Sequence, residues 1–344
     1  MENSFTAIEE IGEFGLIDRL QTILGEAADS ELIRGIGDDA AVFRKEDGLY
    51  QVLTTDALIE GVHFDLSISP MSYLGFKCIA VNVSDVVAMN ARPKYATIAM
   101  GVPHSVSIEM VEKFYSGVRD ACDAYGVIVV GGDITAARQL SISVTVIGEV
   151  EEKRVTFRRG ARPGDLICVT GDLGSGYAGL KVLIKQRIAL NESRKDFRPE
   201  LKNHDYVIQR QLMPRARLDV IANWERAGFI PRAMIDVSDG LASEIHHLCR
   251  HSGCGALIRQ DSIPIHPQTA AAAVQFEDEA SNFALFGGED YELVFATTPG
   301  DYSRIDDGSA TVVGLFTEAE EGVRMQIDDG EFVELLPGGY QHFE

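Results

Sequence analysis

Ile36-Gly37-Asp38-Asp39-Ala40-Ala41-Val42 places two adjacent acids behind a glycine and ahead of an apolar run that reads as a strand. Four later segments repeat the arrangement. Asp56 follows Val52-Leu53-Thr54-Thr55, Asp85 closes Val81-Asn82-Val83-Ser84-Asp85, Asp133 ends Val127-Ile128-Val129-Val130-Gly131-Gly132-Asp133, and Asp236 and Asp239 bracket Ile235-Asp236-Val237-Ser238-Asp239-Gly240. Taken singly, an Asp beside a glycine at a strand end is more often a turn residue or helix cap than a ligand. The set carries more. If the five segments converge, mutual repulsion raises the carboxyl pKa values and opposes ionisation unless cations sit between them. Hard oxygen ligands of this kind suit magnesium, which is held by a few carboxylates together with waters and substrate phosphates.

The remaining composition bounds the class. With 344 residues, 45% of them hydrophobic, the chain can bury a sizeable core and is expected to form two domains in one unit. Lys and Arg total 31 against 53 Asp and Glu, a formal charge of −22, which argues against a nucleic-acid or anionic-membrane surface. Cys78, Cys122, Cys168, Cys249 and Cys254 are odd in number, form no CxxC and mostly lie in apolar runs, so they read as reduced core residues. Met1 to Arg19 carry acids without a signal-peptide core, and no apolar run approaches the ~20 residues of a membrane span. The expectation is a cytoplasmic protein.

Periodicity gives an alternating order of strands and helices, an α/β or α+β pattern. A first helix starts at Glu13, strands follow at about Ala40 to Phe43 and Gln51 to Thr55, and Met71 to Ala91 reads as a helix with small residues on successive turns. Tyr95 to Val102 reads as a strand, Ser107 to Tyr125 as a helix, and Val127 to Val130 and Ser141 to Val150 as strands. Charge-dense Glu151 to Arg162 and the turn Arg162-Pro163-Gly164-Asp165 set a boundary, giving domains 1–150 and 151–344. The second is expected to hold strands at Leu166 to Thr170, around Ile235, at Ala256 to Arg259 and at Tyr291 to Thr297. Its helices are placed at Gly171 to Lys185, Arg217 to Gly228, Ala242 to Ser252 and Gln268 to Ala273, with a polar insertion at Asn191 to Asp205.

Two glycine patterns imitate a dinucleotide site. Gly174-Ser175-Gly176-Tyr177-Ala178-Gly179 lacks the second strand with its acid, and Gly35-Ile36-Gly37-Asp38-Asp39-Ala40 is followed by a strand and carries acids that would repel a pyrophosphate. No G-x-x-x-x-G-K-[ST] occurs, which excludes a P-loop.

The chain resembles the thiamine-monophosphate kinase family of the aminoimidazole-ribonucleotide-synthetase-like superfamily over nearly its whole length. The residues that carry the resemblance are Gly35 to Ala40, Thr54-Thr55-Asp56-Ala57-Leu58-Ile59-Glu60-Gly61-Val62-His63-Phe64, and Ala80 to Met89. Further along they are Gly131-Gly132-Asp133, Arg162-Pro163-Gly164-Asp165, Ile235 to Leu241, Gly287-Gly288-Glu289-Asp290-Tyr291-Glu292-Leu293 and Gly339-Tyr340-Gln341-His342-Phe343. The resemblance implies ATP-dependent phosphorylation of thiamine monophosphate to thiamine diphosphate. It implies a two-domain fold whose N-terminal domain dimerises by joining sheets into a barrel, with the nucleotide between the domains.

Carried over residue by residue, the resemblance puts Asp39, Thr54, Thr55, Asp56, Asp85, Asp133, Asp236 and Asp239 on magnesium positions. It puts Tyr115, Gly132, Asp133, Arg158 and Ser238 on nucleotide positions, and His63, Glu289 and Tyr340 beside thiamine phosphate. Several magnesium ions, ATP as co-substrate and room for a monovalent cation follow from it, as does a homodimer.

Direct phosphoryl transfer fits these residues, because catalysis then consists of positioning and charge neutralisation, which explains many acids and no nucleophile. Asp56, Asp133 and Asp236 are the acids that this chemistry would use most directly. Read without the resemblance, Arg158 belongs as readily to a solvated linker, and His63 more readily to the structure than to a ligand. Three other readings compete: a superfamily synthetase or hydrogenase-maturation enzyme, a nucleotide-sensing module without turnover, and a nicotinamide oxidoreductase. The Gly287 to Leu293 stretch and the full acid set weigh against them.

Overall fold

Along Leu49–Ile59 the even positions Tyr50, Val52, Thr54 and Leu58 are buried and the odd ones are more open, so the strand presents one face inward, as a period of two requires. The computed structural model describes residues 7–25, 29–192, 201–305, 308–327 and 330–339. Its N-terminal part contains α1 (Gly12–Leu24), β1 (Leu32–Arg34), β2 (Ala41–Glu46), β3 (Leu49–Ile59), α2 (Met71–Ala88), β4 (Arg92–Val102), α3 (Ile108–Tyr125), β5 (Ile128–Ala136) and β6 (Ser141–Glu151). The six strands form one open sheet in the order β1-β2-β3-β6-β4-β5, antiparallel except for β4 beside β5. α2 covers its inner face and is backed by α3.

These two helices touch backbone to backbone. A Cβ on Gly75 would stand 2.0 Å from Phe114 O, and one on Gly117 would stand 1.7 Å from Ser72 O. The glycine at the crossing is what the small-residue pattern of α2 anticipated. α2 ends at Ala88, three residues short of the expected Ala91, because Asn90 takes a left-handed φ of 57° and turns the chain into β4. By length and composition α2 resembles a membrane span, against the sequence expectation, but 83% of it is buried inside the protein. It is a core helix.

The C-terminal part runs β7 (Leu166–Thr170), α4 (Ser175–Glu192), α5 (Asp205–Leu212), α6 (Leu218–Arg226), β8 (Ala233–Asp236), α7 (Leu241–Ser252) and β9 (Gly255–Arg259). It continues through α8 (Pro267–Gln275), α9 (Ala280–Phe286), β10 (Leu293–Thr297), α10 (Pro299–Tyr302), β11 (Ala310–Thr317), β12 (Val323–Gln326) and β13 (Phe332–Glu334). The seven strands order as β13-β12-β9-β11-β7-β10-β8, antiparallel except for β12 beside β9. Ile167, Val169, Ile235 and Val294 point into a core closed by Ile245 and Leu248 of α7. From the opposite face, Cys168, Met234 and Phe295 join Trp224 and Phe229 in the same core that α2 fills. The two sheets therefore share one apolar seam, with α2 at its centre. The five cysteines are free thiols, four of them buried, as their apolar settings anticipated.

Candidate active site

The seam brings distant acids together. Asp39 leads into β2, Asp85 sits in the last turn of α2 and Asp236 ends β8; a carboxylate oxygen from each lies within 4.8 Å of the others. Asp56, on the inward face of β3, joins them as the charged neighbour that acts most strongly on Asp85. Neighbours fix the group. Thr54 Oγ1 donates to Asp85 Oδ2 at 2.6 Å, the Ser84 hydroxyl donates to Asp236, and the Asp56 N–H donates to Asn82 Oδ1 at 3.0 Å. Arg158, from the connection between the sheets, reaches Asp39 Oδ1 with Nε at 3.0 Å and Nη2 at 2.6 Å.

The electrostatics are those of a site short of positive charge. Burial pushes Asp39 up to about 6 despite Arg158, and burial with the neighbouring Asp39 pushes Asp236 up to about 7. Asp85 is raised well above the usual range by burial and then by Asp56, Asp236 and Asp39; burial also raises Asp56. Asp39 Oδ2 is buried and has no hydrogen-bond partner among the described residues. A buried carboxylate oxygen with nothing to accept from is a costly arrangement in a stable fold, and a divalent cation satisfies it. The donor set, all oxygen and mostly carboxylate, fits magnesium.

Asp133 and Thr55 stand elsewhere. β5 was expected to stop at Val130 but runs to Ala136, so Gly132 and Asp133 lie in the middle of an edge strand. Gly132 is required there because a Cβ would stand 2.0 Å from Ile98 O. Asp133 pairs with Ala99, which places it on the exposed face of the sheet, whereas Asp56 pairs with Val144 on the inner face. Thr55 shares the exposed face and donates to Val144 O at 3.0 Å. Three strand spacings separate β3 from β5, about 14 Å. Within one chain Asp133 is not brought to the other acids.

The remaining candidates divide. Ser238 follows Asp236 in the β8–α7 loop, and the Asp239 N–H beside it donates to the buried Glu244 at 3.0 Å. Glu289 hangs over the same loop, its N–H donating to Ser238 O at 2.6 Å. His63 Nδ1 accepts the Ile59 N–H at 3.1 Å, which fixes the ring in the turn after β3. Tyr115 lies on α3, edge-on to Phe114 at 5.5 Å. Gly339 packs where a Cβ would meet Asp239 O at 2.5 Å, so the C-terminal segment runs along this loop; Tyr340 lies outside the described residues.

Several further residues brace the site without a motif of their own that marks the role. Asp38 accepts Arg158 N–H at 3.1 Å on one oxygen and Arg34 Nε at 3.1 Å on the other, tying the Asp39 loop to the interdomain connection. Asn82 and Ser84, letters of the Ala80 to Met89 motif, hold the Asp56 backbone and the Asp236 carboxylate. Lys77 and Gln211, which grip Glu289, carried one available signal: Lys77 is the single cation in an apolar helix.

Comparison with known proteins accords with this geometry. Residues 37–150 match the N-terminal domain and residues 162–305 the C-terminal domain of the AIR synthase related protein family. Thiamine-monophosphate kinase of Aquifex aeolicus is 37% identical over 336 residues, covering 98% of this chain and 99% of the relative. The Bacillus subtilis enzyme of the same name is 32% identical over 90% of this chain and 93% of its own. A solved structure described as AaThiL complexed with AMPPCP and TMP superposes with a TM-score of 0.83 at 36% identity, covering 99% of this chain and 100% of that one. The chain belongs to the thiamine-monophosphate kinase family, within the AIR synthase related proteins.

Proposed function

We propose that this chain transfers a phosphoryl group from ATP directly to the phosphate of thiamine monophosphate, giving thiamine diphosphate and ADP. The observation that carries the reading is the buried meeting of Asp39, Asp85 and Asp236 at the seam of the two sheets, in a chain that aligns end to end with enzymes of that name. Asp39, Asp56, Asp85 and Asp236, with Thr54, would hold magnesium ions, which supply when bound the positive charge that offsets the transferring phosphoryl group.

The protein's own groups do the positioning. Arg158 is anchored to Asp39 and Asp38 by a forked contact and a backbone N–H, so its charge stays at the cluster and is available to phosphate oxygens. Ser238 and Asp239 sit at the start of α7, where backbone N–H groups favour a negatively charged ligand. Glu289 and His63 are assigned to the acceptor. An acceptor phosphate is already ionised near neutral pH, so no strong base is required of the chain.

Asp133 and Gly132 enter this reading through a second copy. β5 is an edge strand with Ile128, Val130 and Ile134 exposed, a row of unpaired backbone groups and apolar side chains suited to pairing with another chain. A homodimer joined at the N-terminal sheets would set Asp133 of one copy beside a site that its own chain cannot reach. The division into domains 1–150 and 151–344 is proposed on the same footing, and so is a cytoplasmic location.

The test is an assay of purified protein with ATP, magnesium and thiamine monophosphate, following ADP and thiamine diphosphate together, with free thiamine as control. Matched formation of both products from the monophosphate alone is expected. ADP without thiamine diphosphate, from folded protein, would overturn the substrate assignment.

A further inference from the structure

The geometry points to Lys77 and Gln211 as positioning residues for Glu289, which present its carboxylate in the interdomain cleft to the cationic ring of the acceptor; this rests on the kinase reading above. Lys77 belongs to α2 in the first domain and Gln211 to α5 in the second. Lys77 Nζ contacts Glu289 Oε1 at 2.6 Å, and Gln211 Nε2 donates to Oε2 at 2.6 Å. Both carboxylate oxygens are thus held, from opposite sides of the seam. The Lys77 side chain is 5% exposed while that of Glu289 is 26% exposed, and Gln211 is buried. The donors lie inside and the acid faces out.

A lysine in an apolar helix is costly unless an acid meets it, so the Lys77 ammonium ties Glu289 to one place. The backbone agrees. Glu289 takes φ of 60° and Gly288 φ of 70°, with no room for a Cβ at 288 because Ser238 O would lie 2.5 Å away. A non-glycine residue in that region is strained, and such strain persists only where the surroundings impose it. Lys77 also stands eight residues before Asp85 on α2, about 12 Å along the axis, on the face that carries both. The acid cluster then lies at one end of this stretch and Glu289 at the other, a separation that phosphate groups followed by a cationic ring would span.

The opposite sign would follow if Lys77 only neutralised Glu289. Its removal would then strengthen the local negative charge and tighten binding of a cation. Positioning predicts a loss.

Steady-state kinetics decide, read on wild type first: absence of thiamine diphosphate there would overturn the kinase reading and this inference with it. In active enzyme, Lys77→Met should raise KM for thiamine monophosphate about tenfold, the size of one charge-assisted hydrogen bond, with KM for ATP changed less than about twofold. Lys77→Arg should recover part of the loss. Added to Glu289→Gln, Lys77→Met should change KM by less than about twofold, since both act through one carboxylate. Gln211→Leu, which strands no buried charge in removing its donor, should give the same split at smaller size and keeps the test open if Lys77→Met does not fold. A lower or unchanged KM for thiamine monophosphate, an equal rise for ATP, or full additivity with Glu289→Gln would overturn the assignment.

Discussion

At the scale of single residues, the acids of this site oppose stability when no cation is present. Asp39 and Asp236 rise from an unfolded value near 3.8 to about 6 and about 7. Between those limits the folded protein binds more protons than the unfolded chain, so stability falls as pH rises from about 4 to about 7 and stays low above that. Asp290, pushed to about 7 by burial, has the same sign. The metal-free protein should therefore melt at a lower temperature at pH 8 than at pH 5.5. Magnesium should raise Tm strongly at pH 8 and little at pH 5.5, where protons already occupy the cluster; a magnesium effect independent of pH would contradict this account. Asp85→Asn tests the same balance from the other side. It keeps an acceptor for Thr54 and removes a buried charge, so it should raise the metal-free Tm by a few degrees while lowering kcat by on the order of 10²-fold or more. A lower Tm with full activity would remove Asp85 from the site.

At the scale of elements, α2 carries the argument, because it holds Lys77, Asn82, Ser84 and Asp85 and is itself held by a glycine crossing. Gly75→Ala places a methyl 2.0 Å from Phe114 O, and backbone on both sides leaves nothing flexible to move. The expected cost is about 1–3 kcal/mol or more in denaturant melts, with a loss of activity beyond the loss of folded protein as Asp85 shifts. Unchanged stability would mean that the helices separate freely. The small residues of α2 on successive turns announced close packing, and the motif Val81 to Asp85 marked the end that meets Asp39 and Asp236, because both are local. The pairing of Lys77 with Glu289 was not legible, since it joins positions far apart in the chain through two surfaces that exist only after folding. β5 shows the converse. Gly131-Gly132 reads as the end of a strand, yet here glycine lets β5 approach β4 closely, and the strand continues to Ala136. The C-terminal strands β11, β12 and β13 were missed because Ala310–Thr317 and the short strands after it lie among turns and acids that mask alternation.

At the scale of the whole molecule, the placement of Asp133 sets a question of stoichiometry. It faces away from the cluster that its own chain builds, about 14 Å across the sheet, on an edge strand with exposed apolar residues. If a second copy pairs along β5, each site takes Asp56 from one subunit and Asp133 from the other. Asp56→Asn and Asp133→Asn should each abolish turnover as homodimers. When the two variants are unfolded together and refolded as a mixture, half the dimers carry one of each chain, and one of the two sites in such a dimer has both acids intact. About a quarter of the wild-type activity should return, in proportion to the heterodimer found by native mass spectrometry. No return from dimers that have mixed would place both acids in one chain's site and require β5 to move. Ile134→Lys supplies the independent check: a charge beside the free edge of β5 should shift sedimentation from dimer to monomer and remove activity with it, while the melting of each sheet's core is left nearly unchanged.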